Sequence, residues 1–503
     1  MVPSTAVCGC STGVGEGACA VLLGSVVLLV AKSEKVTVAI AKRYASKPRF
    51  VRGILIIVNQ GYHGTAHLKI TSHEYRESDR IGCLSVMKKT INLVHKNKAL
   101  ALVAFTVFVD MLGFGILVPL IPLLIIDPHF SGSVVAQGMT SDIRYIIFGL
   151  LIALFPFTQL FATPILGDIS DTVGRKRVLA LSLGGTFVAY LLLIIGVTYK
   201  NLPVLFLARA IDGLSGGNLS VAQASVADIS TKKTRARNFA FLSAAFGMGF
   251  VLGPLLGIHL TGVAFSDIFG LTAPFWAALL LTGINIALLV LFLPETKKKV
   301  FTASHIQWAK AILHIKQALQ MRGVRLYFAV NFLLQGAFAT MTAFLSVFVI
   351  SRIGLSESQF GFVLSYLGVW MAIGQITLTR FFIEKFGEKR AFYLCLVGLS
   401  LTILLLFIPQ SFIGFLLFTP FVSLFLGLSQ AFLLSLISGS VSVSKQGEVL
   451  GINTSITALA HTIPPIMGGV AAAAFNPSTP IVFAAACTFI ASLLVKRRVK
   501  AVL

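Results

Sequence analysis

Residues 167–177 read GDISDTVGRKR, a charged run standing between FPFTQLFATPIL (155–166) and VLALSLGGTFVAYLLLIIGV (178–197). The flanks are almost wholly apolar, and each is part of a stretch long enough to cross about 30 Å of hydrocarbon as a helix, which takes about 20 residues. Gly167 and Gly174 permit a tight turn. Arg175, Lys176 and Arg177 close the run with cations, which favour the cytoplasmic side of a membrane. Whether this arrangement recurs outward along the chain decides the fold.

It does recur. The 503 residues are 56% hydrophobic and 12% charged, with a mean hydropathy of +0.90, well beyond a water-soluble domain. No strand-like alternation marks the apolar stretches, so a membrane barrel is excluded and a helical bundle is left. Twelve spans are predicted, at 98–126, 143–166, 177–198, 202–228, 237–262, 272–293, 325–351, 357–382, 390–409, 411–440, 447–475 and 479–495. Alternate connections carry nearly all the cations: Arg175–Arg177, Lys232 to Arg237, Lys297 to Arg325, Lys385 to Arg390, Lys445, and the tail from Lys496 to Lys500. The intervening loops hold little beyond Arg144, Lys200 and Arg352. Both ends of the twelve-span core are therefore expected in the cytoplasm of a plasma or inner membrane. The formal charge of +23 is explained by topology, and nucleic acid is not expected as a partner.

Residues 1–86 differ in character. They hold Cys8, Cys10, Cys19 and Cys83, and one apolar run, 18–31, too short to span. They read as an extension, dispensable or concerned with targeting; two cysteines without further ligands do not make a zinc site, and no metal is expected. The core then divides into a six-helix bundle at 87–293, a basic cytoplasmic linker at 294–324 lying along the membrane surface, and a second six-helix bundle at 325–503. The halves echo each other: DTVGRKR (171–177) returns as EKFGEKR (384–390), GLS at 213–215 as GLS at 427–429, and Pro254 as Pro464. Repeated six-helix units with a substrate site between them are a common transporter plan.

On these residues the chain resembles the major facilitator superfamily. GDISDTVGRKR is similar to its signature loop between spans 2 and 3, departing at Thr172, where the family usually carries a basic residue. RAIDGLSGGNLSVAQASVADIS (209–230) resembles span 4 of proton-coupled members, and its Ala-Asp-Ile ending resembles tetracycline-efflux relatives. GMGFVLGPLLG (247–257) resembles the Gly-Pro motif of antiporters, and FVDMLGFGILVPLIPLL (108–124) and LPET (293–296) are similar to the twelve-span drug/proton antiporter branch. The resemblance covers about residues 95–495 and implies an all-α membrane fold of two pseudo-symmetric bundles, working as a monomer without a cofactor and driven by a proton gradient.

Asp110 lies midway along span 1, where a carboxylate costs at least a few kcal/mol unless protonated or paired. It is a candidate proton carrier, or a cap for the irregularity at Gly113 and Gly115; the resemblance strengthens the first, since tetracycline-type exporters place an acid here. Arg209 and Asp212 are three residues apart on one helical face, either a self-neutralising pair or a cation tuning a gating acid. His461, before Pro464 and Pro465, is a third proton-coupling candidate or a packing residue.

Gly167, Asp171, Gly174, Arg175 and Lys176 are candidate switch residues. Asp171 is expected to accept hydrogen bonds from the start of span 11, near Lys445 to Glu448, as a latch between halves. Gly249, Gly253 and Gly257 recur every four residues along one face and allow close packing, while Pro254 favours a bend. The candidate cavity residues are Gln159, Asn218, Gln223, Asn331, Gln335, Phe338, Tyr366 and Trp370. A mostly apolar, aromatic cavity with a few amides suits small amphiphilic molecules better than sugars.

The chain contains no GxxxxGK[ST] or HExxH motif, so neither an ATP-driven pump nor an intramembrane enzyme is expected. A proton-coupled exporter of amphiphilic drugs is the preferred reading. Its rivals are a metabolite or sugar uniporter or importer of the same fold, and a transport-inactive receptor or scaffold.

Overall fold

The computed structural model describes residues 77–127, 132–136, 138–231, 234–262, 269–296, 310–321, 323–355, 357–441 and 446–500. Cys8, Cys10, Cys19, Lys232, Lys233, Lys297–Lys299 and Lys445 lie outside the described residues. The chain divides into two compact units, Met1–Val94 and His95–Leu503. Helix α1 (Glu77–Ile125) begins ahead of residue 87, where the first bundle is expected to start. The reason is local: between Cys83 and Leu112 there is neither Gly nor Pro to stop a helix.

Among the described residues the molecule is helical, and the elements follow the predicted order. They are α2 (Ser141–Val173), α3 (Arg175–Thr198), α4 (Leu202–Ser215), α5 (Asn218–Ile229), α6 (Arg235–Gly262), α7 (Ala273–Phe292), α8 (Lys310–Gln320), α9 (Arg325–Ile353), α10 (Glu357–Ile373), α11 (Thr379–Phe386), α12 (Glu388–Leu405), α13 (Phe412–Gly439), α14 (Gln446–Ala474) and α15 (Thr479–Lys500). Among the described residues ten helical stretches are long and apolar enough to cross a membrane, from Asn97–Ile125 to Thr479–Lys496. Two predicted spans are not among them. α12 opens with Glu388, Lys389 and Arg390, which interrupt its apolar run. The fourth, expected unbroken over 202–228, is cut into α4 and α5 at Gly216–Gly217.

That break is a correction with a clear cause. Hydropathy runs smoothly through the region, but two adjacent glycines weaken a helix by about 1 kcal/mol each relative to alanine. Neighbouring helices then hold the opened turn, as the candidate site makes plain below. A second irregularity, a π turn at Gly374–Leu378, joins α10 to α11 within the eighth span. Such single-turn expansions keep backbone groups bonded while offsetting the axis.

Three large apolar clusters and one small one, Leu160 with Ala458, make the described interior. One gathers α9, α10, α12, α13, α14 and α15 around Phe348, Phe392, Phe415 and Phe432. A second packs α1, α3, α5 and α7 around Leu179 and Val221. The third joins the two halves of the sequence, with Ile116, Phe148 and Phe275 beside Ala343, Phe344, Val347 and Ala472. In the linker α8 is amphipathic, burying Ala318 and exposing Leu313 and Leu319, and the His314 imidazole lies 3.0 Å from the Ser455 hydroxyl of α14.

Candidate functional site

The break between α4 and α5 organises the site. Opening a helix inside an apolar medium leaves carbonyls without donors, at several kcal/mol each unless a side chain replaces them. Here side chains do so: Gln159 Nε2 of α2 donates to the Gly216 carbonyl at 2.6 Å, and the Ser182 hydroxyl of α3 donates to the Ser215 carbonyl. A Cβ at Gly216 would sit 2.8 Å from Gln159 Nε2, and one at Gly217 2.6 Å from Leu166. Both glycines are required by close approach. Gln159, expected in the cavity, instead holds the break.

Two acids flank it. Asn218, the first residue of α5, donates from Nδ2 to Asp110 Oδ2 at 2.6 Å. Asp212, on the last turn of α4, accepts from Arg209 Nη1 at 2.9 Å. Arg209 is 2% exposed, and its guanidinium also lies 4.7 Å from the centre of the Phe155 ring, a cation–π contact in a desolvated place. Its Nε has no hydrogen-bond partner, so the pairing with Asp212 satisfies it only in part. Asp110 and Asp212 lie within electrostatic reach of each other and of buried Tyr190 on α3. The Tyr190 hydroxyl sits over Gly113, where a Cβ would come within 1.7 Å of it. Tyr190 and Phe155 were missed in the sequence, because an aromatic in an apolar run carries no periodic signal of its own.

The glycine face of α6 is a packing face against α1. Cβ atoms at Gly249, Gly253 and Gly257 would lie 2.4, 2.6 and 3.0 Å from the carbonyl oxygens of Phe108, Leu112 and Ile116. α1 thus presents one side to α6 and Asp110 to α5. Across the halves, the Ser365 hydroxyl of α10 donates to the Val251 carbonyl at 2.6 Å, next to the Phe250–Phe338 ring contact at 6.3 Å. A small apolar cavity opens there, lined by Phe250, Phe338, Met341, Leu364, Met371 and Ser423 among others.

Of the other expected cavity residues, Phe338 lines this space, whereas Asn331 is buried and donates to Thr457 Oγ1 at 2.9 Å. Gln335 is half-buried and Gln223 exposed. Tyr366 and Trp370 form an aromatic ladder with Phe362 along α10, ending on Phe412 of α13. His461 is brought near Phe338, with ring centres 6.3 Å apart, and its Nε2 is buried without a partner. Its described contacts do not reach Arg209 or the two acids.

At the turn between α2 and α3, Arg175 is 6% exposed, so it is an interior hub and not simply a cation facing water. It meets Asp171 at 2.7 Å, Ser170 at 2.5 Å and Asp228 of α5 at 3.1 Å. Glu295 caps α3, accepting from the backbone N–H of Arg175 at 2.8 Å and of Lys176 at 3.3 Å. Gly174 has φ +109° and ψ 147°, and a Cβ there would meet Glu295 at 2.4 Å. Gly167 has open space around it. For Asp171 the described partner is thus Arg175; Lys445, in the expected latch segment, lies outside the described residues. Among the described residues no cluster of His, Cys, Asp and Glu is placed to hold a metal.

Comparison with known proteins gives concordant findings. A sequence profile described as Major Facilitator Superfamily matches residues 103–382 and 327–501. The tetracycline resistance protein, class C, of Escherichia coli is 29% identical over 374 residues, covering 74% of this chain and 89% of that protein. Multidrug resistance protein 2 of Bacillus subtilis is 27% identical over 389 residues, covering 76% and 90%. The crystal structure of the human organic anion transporter MFSD10 (TETRAN) superposes with a TM-score of 0.61 at 24% identity, over 80% of this chain and 99% of that one.

Proposed function

The chain belongs to the Major Facilitator Superfamily, and is a multi-pass membrane transporter and not an enzyme; on that premise we propose that it exports small amphiphilic compounds in exchange for protons. It works by alternating access between two six-helix bundles, 87–293 and 325–503, with twelve spans and both ends of the core in the cytoplasm. It sits in the plasma or inner membrane as a monomer. The observation that carries the reading is the pair of buried acids at the helix break, Asp110 on Asn218 and Asp212 on Arg209.

An intramembrane carboxylate held by a neutral amide is the arrangement a proton carrier needs, since Asn218 offers no charge to keep Asp110 ionised. In this mechanism Asp110 takes a proton from outside and gives it up inside, and substrate binding competes with that proton. Arg209 and Asp212 neutralise one another in one state and exchange partners in the other. His461, remote from these contacts and packed beside Phe338, is assigned no part in proton transfer.

Support for an amphiphilic substrate comes from the lining of the cavity, in which Phe250, Phe338, Met341, Leu364 and Met371 offer apolar surface and Thr342 and Ser423 a hydroxyl each. Most of the amides that a sugar site requires are already engaged: Gln159, Asn218 and Asn331 each donate within the protein. The names of the relatives, tetracycline and multidrug resistance proteins, point the same way. Transport of ethidium by proteoliposomes under an imposed pH gradient tests the reading: flux should follow the sign and size of the gradient. Flux indifferent to it would reject proton coupling.

A further inference from the structure

On the face of the bundle opposite the Arg175 turn, Arg144 presents a second buried cation. It lies in the first turn of α2 and is 1% exposed. A guanidinium carries five N–H donors in a rigid fork. All of its nitrogens are engaged by neutral oxygens: Nε by Met139 O at 3.4 Å, Nη1 by Ile125 O and Ser133 Oγ at 3.1 Å each, Nη2 by Val135 O at 3.4 Å and Ala136 O at 2.8 Å. A cation is disfavoured at a helix N-terminus by the dipole and favoured at a C-terminus. Arg144 escapes the first by reaching to the second, since Ile125 O is the last carbonyl of α1 and otherwise unpaired within the helix. The neighbouring carbonyl, Leu124 O, is taken by Val134 N at 2.9 Å.

Arg144 and Val134 therefore tie three pieces into one body: the end of α1, residues 133–136 with Met139, and the start of α2. That body lies at the contact between the halves. Tyr145 O would be 2.7 Å from a Cβ at Gly469 of α14, a Cβ at Gly149 would lie 2.9 Å from Pro465 O, and Phe148 packs edge-on against Phe344 of α9 at 5.1 Å. Val134 and Val135, 6% and 3% exposed, belong to the same apolar cluster as Ala343, Phe344, Val347 and Ala472.

We propose that Arg144 is a positioning residue of the outer seal, holding Val134 and Val135 in the apolar contact between the halves and making them leave it as one piece with α1 and α2 when that side opens. The role rests on the transport reading for its purpose, but its test does not require transport. Val135→Cys is introduced into the full chain with Cys8, Cys10, Cys19, Cys83 and Cys487 replaced by Ser, and Cys395 kept. An impermeant maleimide is applied from either side of sealed membranes without substrate or gradient. With Arg144 in place, labelling at residue 135 is slow from both sides. Arg144→Gln should speed it from one side by at least about tenfold, the factor set by loss of a single charge-assisted hydrogen bond. Arg144→Lys should speed it similarly, because one ammonium cannot serve five acceptors spread over Ile125 to Met139. Unchanged labelling would overturn the proposal. So would an equal rise at buried Cys395 of α12, which would mean general loosening. A protein that labels as expected yet shows no gradient-driven flux would reject the exporter reading and leave the strut standing.

Discussion

The two copies of the charged turn, 171–177 and 384–390, share a backbone and little else. Gly174 has φ +109° and ψ 147°, Gly387 φ +72° and ψ 153°, and each is followed directly by a helix. In the first copy the glycine lies against Glu295 and its neighbour Arg175 is buried among Asp171, Ser170 and Asp228. In the second nothing lies within 4 Å of a Cβ built on Gly387, α11 buries no residue, and Arg380 pairs with Glu384 at 2.6 Å with side chains 87% and 62% exposed. The turn thus recurs, while among the described residues the buried ion network stands at the first copy. Repeated sequence is good evidence for repeated backbone and poor evidence for repeated electrostatics.

Substitutions that treat the copies alike should expose this asymmetry. The largest effect is expected for Arg175→Ala, which removes the cation that Asp171 and Asp228 share. Asp171 and Asp228 keep some access to water, so the loss should be on the order of 2–3 kcal/mol, below the 3–5 of a fully buried pair. The second copy has Glu388 where Arg175 stands, and its own arginine, exposed Arg390, should leave melting in detergent unmoved when changed to Ala. Equal losses at both positions would refute the contrast. Next comes Gly174→Ala against Gly387→Ala. Both place a side chain in a region that glycine alone occupies, at about 1–3 kcal/mol. Only the first also collides with Glu295, so it should be the less stable of the two in parallel thermal scans.

Glu295→Gln should follow, at about 1 kcal/mol, by weakening the cap on α3 where the helix dipole favours an anion. Glu388→Gln, in the first turn of α12, should show a smaller loss by the same scan, since no side-chain cap holds that helix start. A similarly negligible effect is predicted for Arg380→Ala, which breaks an exposed pair that contributes little in water. A melting shift there as large as that of Glu295→Gln would mean that the second turn is also a structural lock.

How much of this was legible in the sequence follows from range. Hydropathy marks the spans because crossing a membrane is a property of 20 consecutive residues. The glycine face of α6 was visible as well, since its spacing of four is local. The break at Gly216–Gly217 was in plain view as a dipeptide, but whether two glycines bend or break a helix depends on donors such as Gln159 and Ser182, distant in sequence. Asp228 and Glu295, 53 and 120 residues from Arg175, were written in the quoted motifs without any sign that they would meet. Likewise the amides Gln159, Asn218 and Asn331 announced polarity in the membrane but not whether it was already satisfied. Arg144 was read as a loop cation because composition does not tell a solvated charge from a caged one.

The asymmetry also bears on transport. The break, the two acids and the ion network all lie in the first half, while the apolar cavity is walled mainly by the second. One half would then handle protons and the other would shape the substrate. Proton release on binding tests this most directly: purified protein in weak buffer with a pH indicator is mixed with ethidium. The wild-type protein should release protons on binding, and Asp110→Asn should bind without releasing them. Equal proton release by wild type and Asp110→Asn would contradict the assignment of the exchanged proton to Asp110.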